Sequence, residues 1–210
     1  MEKGIKMKTL RPALILHGIL AVLEVIALIH DCRVFGLAMF KYYTIDSNVL
    51  QLVVSVCILI CLLRGKEGPH FLLVLHLICA VCLTVTFMIA AFVLAPQEGF
   101  AYYFLSNVAP INHFIGPLLS VITFIFTRTE YPLQRRMVIA PAAATLLYGV
   151  VTLIMNAAGV LDGPYFFLRI HETPLPTVVL WFVIIAVLTL VLSAIYMRLR
   201  SLRRKKAGEV

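Results

Sequence analysis

Charge is what this sequence has least of. Only 13% of its 210 residues are Asp, Glu, Lys or Arg, against about a quarter in a soluble globular domain. With 62% hydrophobic residues and a mean hydropathy of +1.01, the chain is expected to be an integral membrane protein. Several apolar runs exceed the ~20 residues needed to cross a bilayer. Other absences narrow the class. No small-x-small cleavage site follows the first apolar stretch, so MEKGIKMKTLRPALIL reads as the start of a spanning helix and not as a signal peptide. Of five cysteines, Cys79 and Cys82 have the spacing of a redox or metal pair, but no second pair and no nearby ligand histidine completes a site. They read as buried small apolar residues, and no metal or other cofactor is expected. No ring of like charges suggests an ion filter. No repeated Gly/Pro breaks mark an inverted-repeat transporter. No soluble domain, low-complexity linker or internal repeat is visible.

What is present is an all-α pattern. Six spans are expected, at about 12–31, 43–63, 70–95, 107–127, 137–157 and 174–198, in a single bundle over residues 1–210. Charged breaks such as Arg64-Gly-Lys-Glu-Gly separate them. Lys and Arg set the orientation. With both termini inside, the inner segments hold Lys3, Lys6, Lys8 and Arg11, Arg64 and Lys66, Arg128, Arg135 and Arg136, and six more from Arg198 to Lys206. Only Arg33, Lys41 and Arg169 of the 18 basic residues fall outside. The positive-inside rule therefore predicts cytoplasmic termini. The net charge of +8 needs no nucleic-acid partner, since a basic tail of this kind meets anionic headgroups.

Polar residues inside the spans are the chemical signal. In a helical second span, Thr44, Ser47, Asn48, Gln51 and Ser55 share one face. Lipid offers such groups no hydrogen bonds, so the face must look into a pocket or a helix interface. The fourth span carries His113 at a similar depth in the outer leaflet, just before Gly116-Pro117, which is expected to loosen the helix and free carbonyls. The first span repeats His17, Glu24 and Asp31 along one face, with Glu24 in mid-membrane, where a carboxyl is costly unless paired or protonated. The fifth carries Thr145, Tyr148, Thr152 and Asn156, and the third His76 and Thr86. Asp46 lies about 200° from Thr44 around the helix, and is expected to pair with Lys41 or a loop. Each feature also has a structural reading. A membrane threonine commonly bonds its own i−4 carbonyl or a neighbouring helix, a histidine can be a packed core residue, and Glu24 can be a protonated interhelical tie.

Lys41-Tyr42-Tyr43-Thr44 followed by Val49-Leu50-Gln51 resembles the second-helix motif of the androgen-induced intramembrane threonine hydrolases, which cleave fatty acid esters of hydroxy fatty acids. Tyr43-Thr44-Ile45-Asp46-Ser47-Asn48 is closer still to the family's microbial relatives, with their aromatic-Thr-x-x-Ser-Asn signature. His113-x-x-x-Pro117 is similar to the family's later His-Pro element, and Tyr148 with Gly163-Pro164-Tyr165-Phe166 echoes its fifth helix and following loop. The resemblance covers about residues 40–168 and implies Thr44 as nucleophile and His113 as base. A threonine hydroxyl needs such a base to attack an ester. Asn48, then Ser47, are the candidate oxyanion donors, and Glu24 or Tyr148 the candidates to hold the His113 tautomer. The implied partner is a lipid substrate entering from the bilayer; oligomeric state stays open. Two other classes compete. One is a non-catalytic transporter or lipid-binding scaffold, with Glu24, His17 and His76 as a proton relay. The other is an acyl or prenyl transferase using Thr44 or Ser47, although the Asp-rich metal motifs of phosphatidyl and prenyl transferases are absent.

Overall fold

The computed structural model describes residues 7–129, 131–132 and 134–206; Lys3 and Lys6 of the basic N-terminal segment lie outside the described residues. Of the described residues 84% are helical, and none is in a strand. Helix α1 (Met7–Phe35) passes through a 3-10 segment (Gly36–Lys41) into α2 (Tyr43–Leu63). Helix α3 (His70–Ile89) continues as a π-helical turn (Ala90–Leu94) into α4 (Ala95–Glu98), and α5 (Phe100–Phe104) follows. A second π turn (Ile111–Ile115) leads into α6 (Gly116–Phe126). Helix α7 (Ile139–Ala157) follows a 3-10 turn (Arg135–Val138), and α8 (Leu175–Lys206) follows another (Phe166–Leu168).

Among the described residues, five helical segments are long and apolar enough to cross a membrane. The expected fourth span is an apolar helix too, but a shorter one, Ile111–Phe126. At ~1.5 Å per residue it falls short of the ~30 Å hydrocarbon core. The span expected to start near 107 starts later because Asn107 takes a left-handed conformation (φ 45), which an α-helix does not admit. Its far end is held by α8. Arg200 donates to the carbonyls of Phe124 and Thr127, Arg203 to those of Ile125 and Phe126, and Arg204 to that of Tyr131. The last carbonyls of a helix lack intrahelical donors, and guanidinium groups supply them here. Helix α8 runs on to Lys206, past the expected end at 198, and carries these three arginines on its added turns.

Helix α3 is the hub. It packs against α2, α6, α7 and α8, and is the most enclosed of the long helices, α8 the least. Leu73, Leu77, Val81 and Val85 of α3 meet Phe124 and Tyr196 in one apolar cluster. Val54, Ile58 and Leu62 of α2 meet Leu72 and Cys79 in another. Cys79 and Cys82 are buried and unbridged, whereas Cys32 and Cys57 are exposed.

Both π turns stand before a proline, Pro96 or Pro117. In a π turn the N–H of residue i+5 closes on carbonyl i. Gly116 N–H does so with Ile111 O. The next donor in that register is Pro117, which has no N–H, so the Asn112 carbonyl is left to another partner. The loosening expected at Gly116-Pro117 thus takes the form of a π turn that contains His113.

Candidate active site

A cavity of about 740 Å³ opens where α1, α2, α3, α7 and the segments around α5 and Tyr165 converge. Thr44, His113 and Tyr148 all line it, together with His30, Asp31 and Tyr165. Ser47, Asn48 and Glu24 do not line it. Of the six candidate site residues, the fold thus brings three together and sets the other three behind the wall.

Thr44 occupies the first turn of α2, whose cap is Tyr42. Ile45 N–H and Asp46 N–H both close on the Tyr42 carbonyl. The N–H groups of Tyr43 and Thr44 are therefore the helix's leading donors without an intrahelical acceptor. The Tyr165 phenol lies against both of them and against the Thr44 hydroxyl. Burial pushes the Tyr165 phenol up to about 12, and those contacts limit the rise. Tyr165 is therefore a neutral hydroxyl at the positive end of a helix, beside Thr44.

His113 sits in the π turn, its ring edge-on to Tyr103 (5.4 Å between centroids) and Phe104 (6.2 Å). Its Nδ1 lies 3.2 Å from the Ala109 carbonyl. A carbonyl only accepts, so Nδ1 donates in this contact; the ring also meets the Tyr103 backbone. The ring is thus held by backbone, where Glu24 or Tyr148 was expected. Tyr103 in turn donates to Glu98 (2.6 Å). That bond and, first, burial raise the Tyr103 phenol well above its ordinary value.

The remaining candidates position these groups. Asn48 Nδ2 donates to the Thr44 carbonyl (2.8 Å) and to the Asn112 carbonyl (3.3 Å), the one Pro117 leaves without a donor. Ser47 donates to the Tyr43 carbonyl, the local i−4 bond open to any helical serine. Tyr148 donates to the Lys41 carbonyl (2.6 Å) and stacks edge-on with Tyr43, whose own hydroxyl meets Thr145 (2.7 Å). Asn112 donates to Asp31 (2.9 Å), and Asp31 also meets His30 (3.3 Å). Lys41 lies over the Tyr42 ring, and no ion pair joins it to Asp46 among the described residues.

Deeper in the bundle a second set of polar groups is closed on itself. His17 meets Ser55 (3.3 Å) and Thr127 (2.9 Å), Gln51 donates to Ser55 (2.8 Å), and Ser120 donates to Gln51. His76 bonds Thr123 (3.1 Å) and its ring lies 5.2 Å from that of His17. None of these lines the cavity. Among the described residues no group of three or more His, Cys, Asp or Glu is placed to hold a metal ion.

Tyr165, His30 and the Ala109 carbonyl were not singled out as site groups from sequence. Ala109 is the i−4 residue of His113 and so could have been found from a helical register. Tyr165 follows the fifth span in a loop, and no periodicity points to its partner.

No family model, curated protein or solved structure matches this chain. The case for function therefore rests on the cavity and its residues.

Proposed function

We propose that this protein is an intramembrane lipid-ester hydrolase with Thr44 as nucleophile and His113 as general base. The observation that carries this reading is that Thr44 and His113, from different helices, line one cavity, with the His113 ring oriented by the Ala109 carbonyl at Nδ1. In this mechanism His113 Nε2 takes the Thr44 proton as Oγ1 bonds to the ester carbonyl carbon. The alcohol leaves with that proton. Water then attacks the acyl-Thr44 ester, His113 taking its proton and returning it to Oγ1 as the fatty acid departs. The tetrahedral oxyanion is stabilised by the Tyr165 hydroxyl, in place of Asn48 or Ser47, whose donors are already engaged.

The cavity size falls in the range of small-molecule sites, and its largely aromatic and aliphatic walls suit acyl chains entering from lipid. Exposed Gln97, Glu98 and Asn107 at its rim give hydrolytic water a polar approach. The substrate class follows the resemblance of the Thr44 motif: fatty acid esters of hydroxy fatty acids or related acyl lipids. In the bilayer we read Ile111–Phe126 as a sixth, thinned span, with both termini cytoplasmic and the cavity towards the non-cytoplasmic leaflet; in a microbe this is the cell membrane. Purified protein should hydrolyse a long-chain acyl ester in mixed micelles, and Thr44→Ala and His113→Ala should not.

A second reading, a transporter or lipid-binding scaffold, is favoured by the buried polar set around His17, Gln51 and Ser120. It predicts no ester turnover.

A further inference from the structure

Between the cavity and the His17 set lies a group of oxygens with no donor. Glu24, on α1, is 2% exposed, and neither carboxyl oxygen has a hydrogen-bond partner. Asn48 Oδ1 is equally buried and without a partner, because the Asn48 amide nitrogen is the part that bonds Thr44 and Asn112. These atoms converge on Gly116. A Cβ at that position would lie 2.8 Å from Ile111 O, 2.9 Å from Glu24 Oε1 and 3.3 Å from Asn48 Oδ1. The three oxygens are therefore within about 6 Å of one another, on the one face of α6 that glycine leaves bare. Asn112 Oδ1, on the residue Asn48 touches, is also buried with no donor.

We propose that Glu24, Asn48 and the Ile111 carbonyl bind a monovalent alkali cation, sodium in size. A buried carboxylate with no cationic partner is costly. A proton on Glu24 would give only one of these acceptors a donor, whereas a cation serves several at once. Hard cations take carboxylate, amide and backbone oxygens, and distorted membrane helices supply such carbonyls to sodium. Here the π turn brings Ile111 O, one lone pair of which takes the Gly116 N–H, close to Glu24, leaving its second lone pair for the cation. The charge balance favours a single positive charge. Asp31, which adds negative potential at Glu24, has one oxygen on Asn112 and the other on His30. The site ties α1, α2 and the π turn at the level just behind Thr44 and His113, and it stands whether or not the cavity hydrolyses esters.

The test uses the full chain in lipid nanodiscs, melted in choline chloride with sodium, lithium or potassium substituted at constant ionic strength. A saturable sodium-dependent rise in Tm of about 3–6 °C at ten times the dissociation constant is expected. In Glu24→Gln the rise should vanish while the melting point in choline is no lower than the wild type's. Should that variant fail to fold, equilibrium binding of radioactive sodium to the wild type decides, with about one ion per chain expected. Equal melting in all salts, with no bound sodium, would overturn the proposal and leave Glu24 held by a proton alone.

Discussion

Asn48 Nδ2 lies 3.3 Å from the carbonyl of Asn112, and this bond ties the helix that carries Thr44 to the π turn that carries His113. The same nitrogen bonds the Thr44 carbonyl. One amide thus fixes the backbones of both proposed reacting residues, using a carbonyl that Pro117 has left without a donor.

Asn48→Ala should therefore act on geometry before chemistry. It removes two bonds from a buried position, at a cost of about 1–3 kcal/mol for the orphaned Asn112 carbonyl. A lowered Tm together with a fall in kcat exceeding any change in KM is the expected result in melting and ester-hydrolysis assays. Unchanged stability would show that Asn48 does not hold the two helices together.

Tyr165→Phe keeps the ring and removes the hydroxyl beside Thr44. If that hydroxyl meets the oxyanion, kcat should fall about 10²-fold with KM little changed. A rise in KM at constant kcat would instead make Tyr165 a substrate-packing residue.

The same variant tests the alkaline behaviour. The Tyr165 phenol titrates near 12 when folded and near 10 when unfolded. Its contribution is whole below pH 10 and is lost as the pH rises towards 12. Wild-type Tm should thus fall more steeply than that of Tyr165→Phe between pH 10 and 12.

Tyr148→Phe is the contrast. It breaks the bond to the Lys41 carbonyl at a cost of about 1 kcal/mol, with ester turnover kept within about threefold on the proposed mechanism. A collapse of activity comparable to Thr44→Ala would return Tyr148 to the chemistry.

Arg200→Ala should be the most damaging change remote from the cavity. Arg200 is 1% exposed and donates to the Phe124 and Thr127 carbonyls at the end of the short helix. Their loss should cost about 2–4 kcal/mol, read as a lowered Tm in nanodiscs.

Much of this was legible in the sequence because hydropathy and helical period act locally. The α2 boundaries at Tyr43 and Leu63 coincide with the span expected there. Ser47, Asn48, Gln51 and Ser55 are buried on the face that their spacing picks out. The basic residues that predict orientation also explain contacts they did not predict: Arg200 and Arg203, read as a headgroup flank, turn inwards to cap α6, and Arg204 bonds the Tyr131 carbonyl in the loop beyond it. What was not legible depends on partners far away in the chain. Periodicity put Thr44 and Ser47 on one face, but only the packing decides that Thr44 meets the cavity while Ser47 spends its hydroxyl on Tyr43. The fourth span ran four residues too far at its start because a left-handed Asn107 carries no hydropathy signal. Tyr165 reaches Thr44 through a loop, which no repeat encodes.

The most direct test of the central claim is covalent capture. Wild type, Thr44→Ala and His113→Ala would be treated in detergent with a lipid-tailed fluorophosphonate, and the adduct located by mass spectrometry. The mechanism predicts a phosphonyl group on Thr44 Oγ1 in the wild type, none in Thr44→Ala, and labelling slowed by about 10²–10⁴-fold in His113→Ala. A folded wild type that carries no adduct on Thr44, or one that labels equally fast without His113, would contradict it.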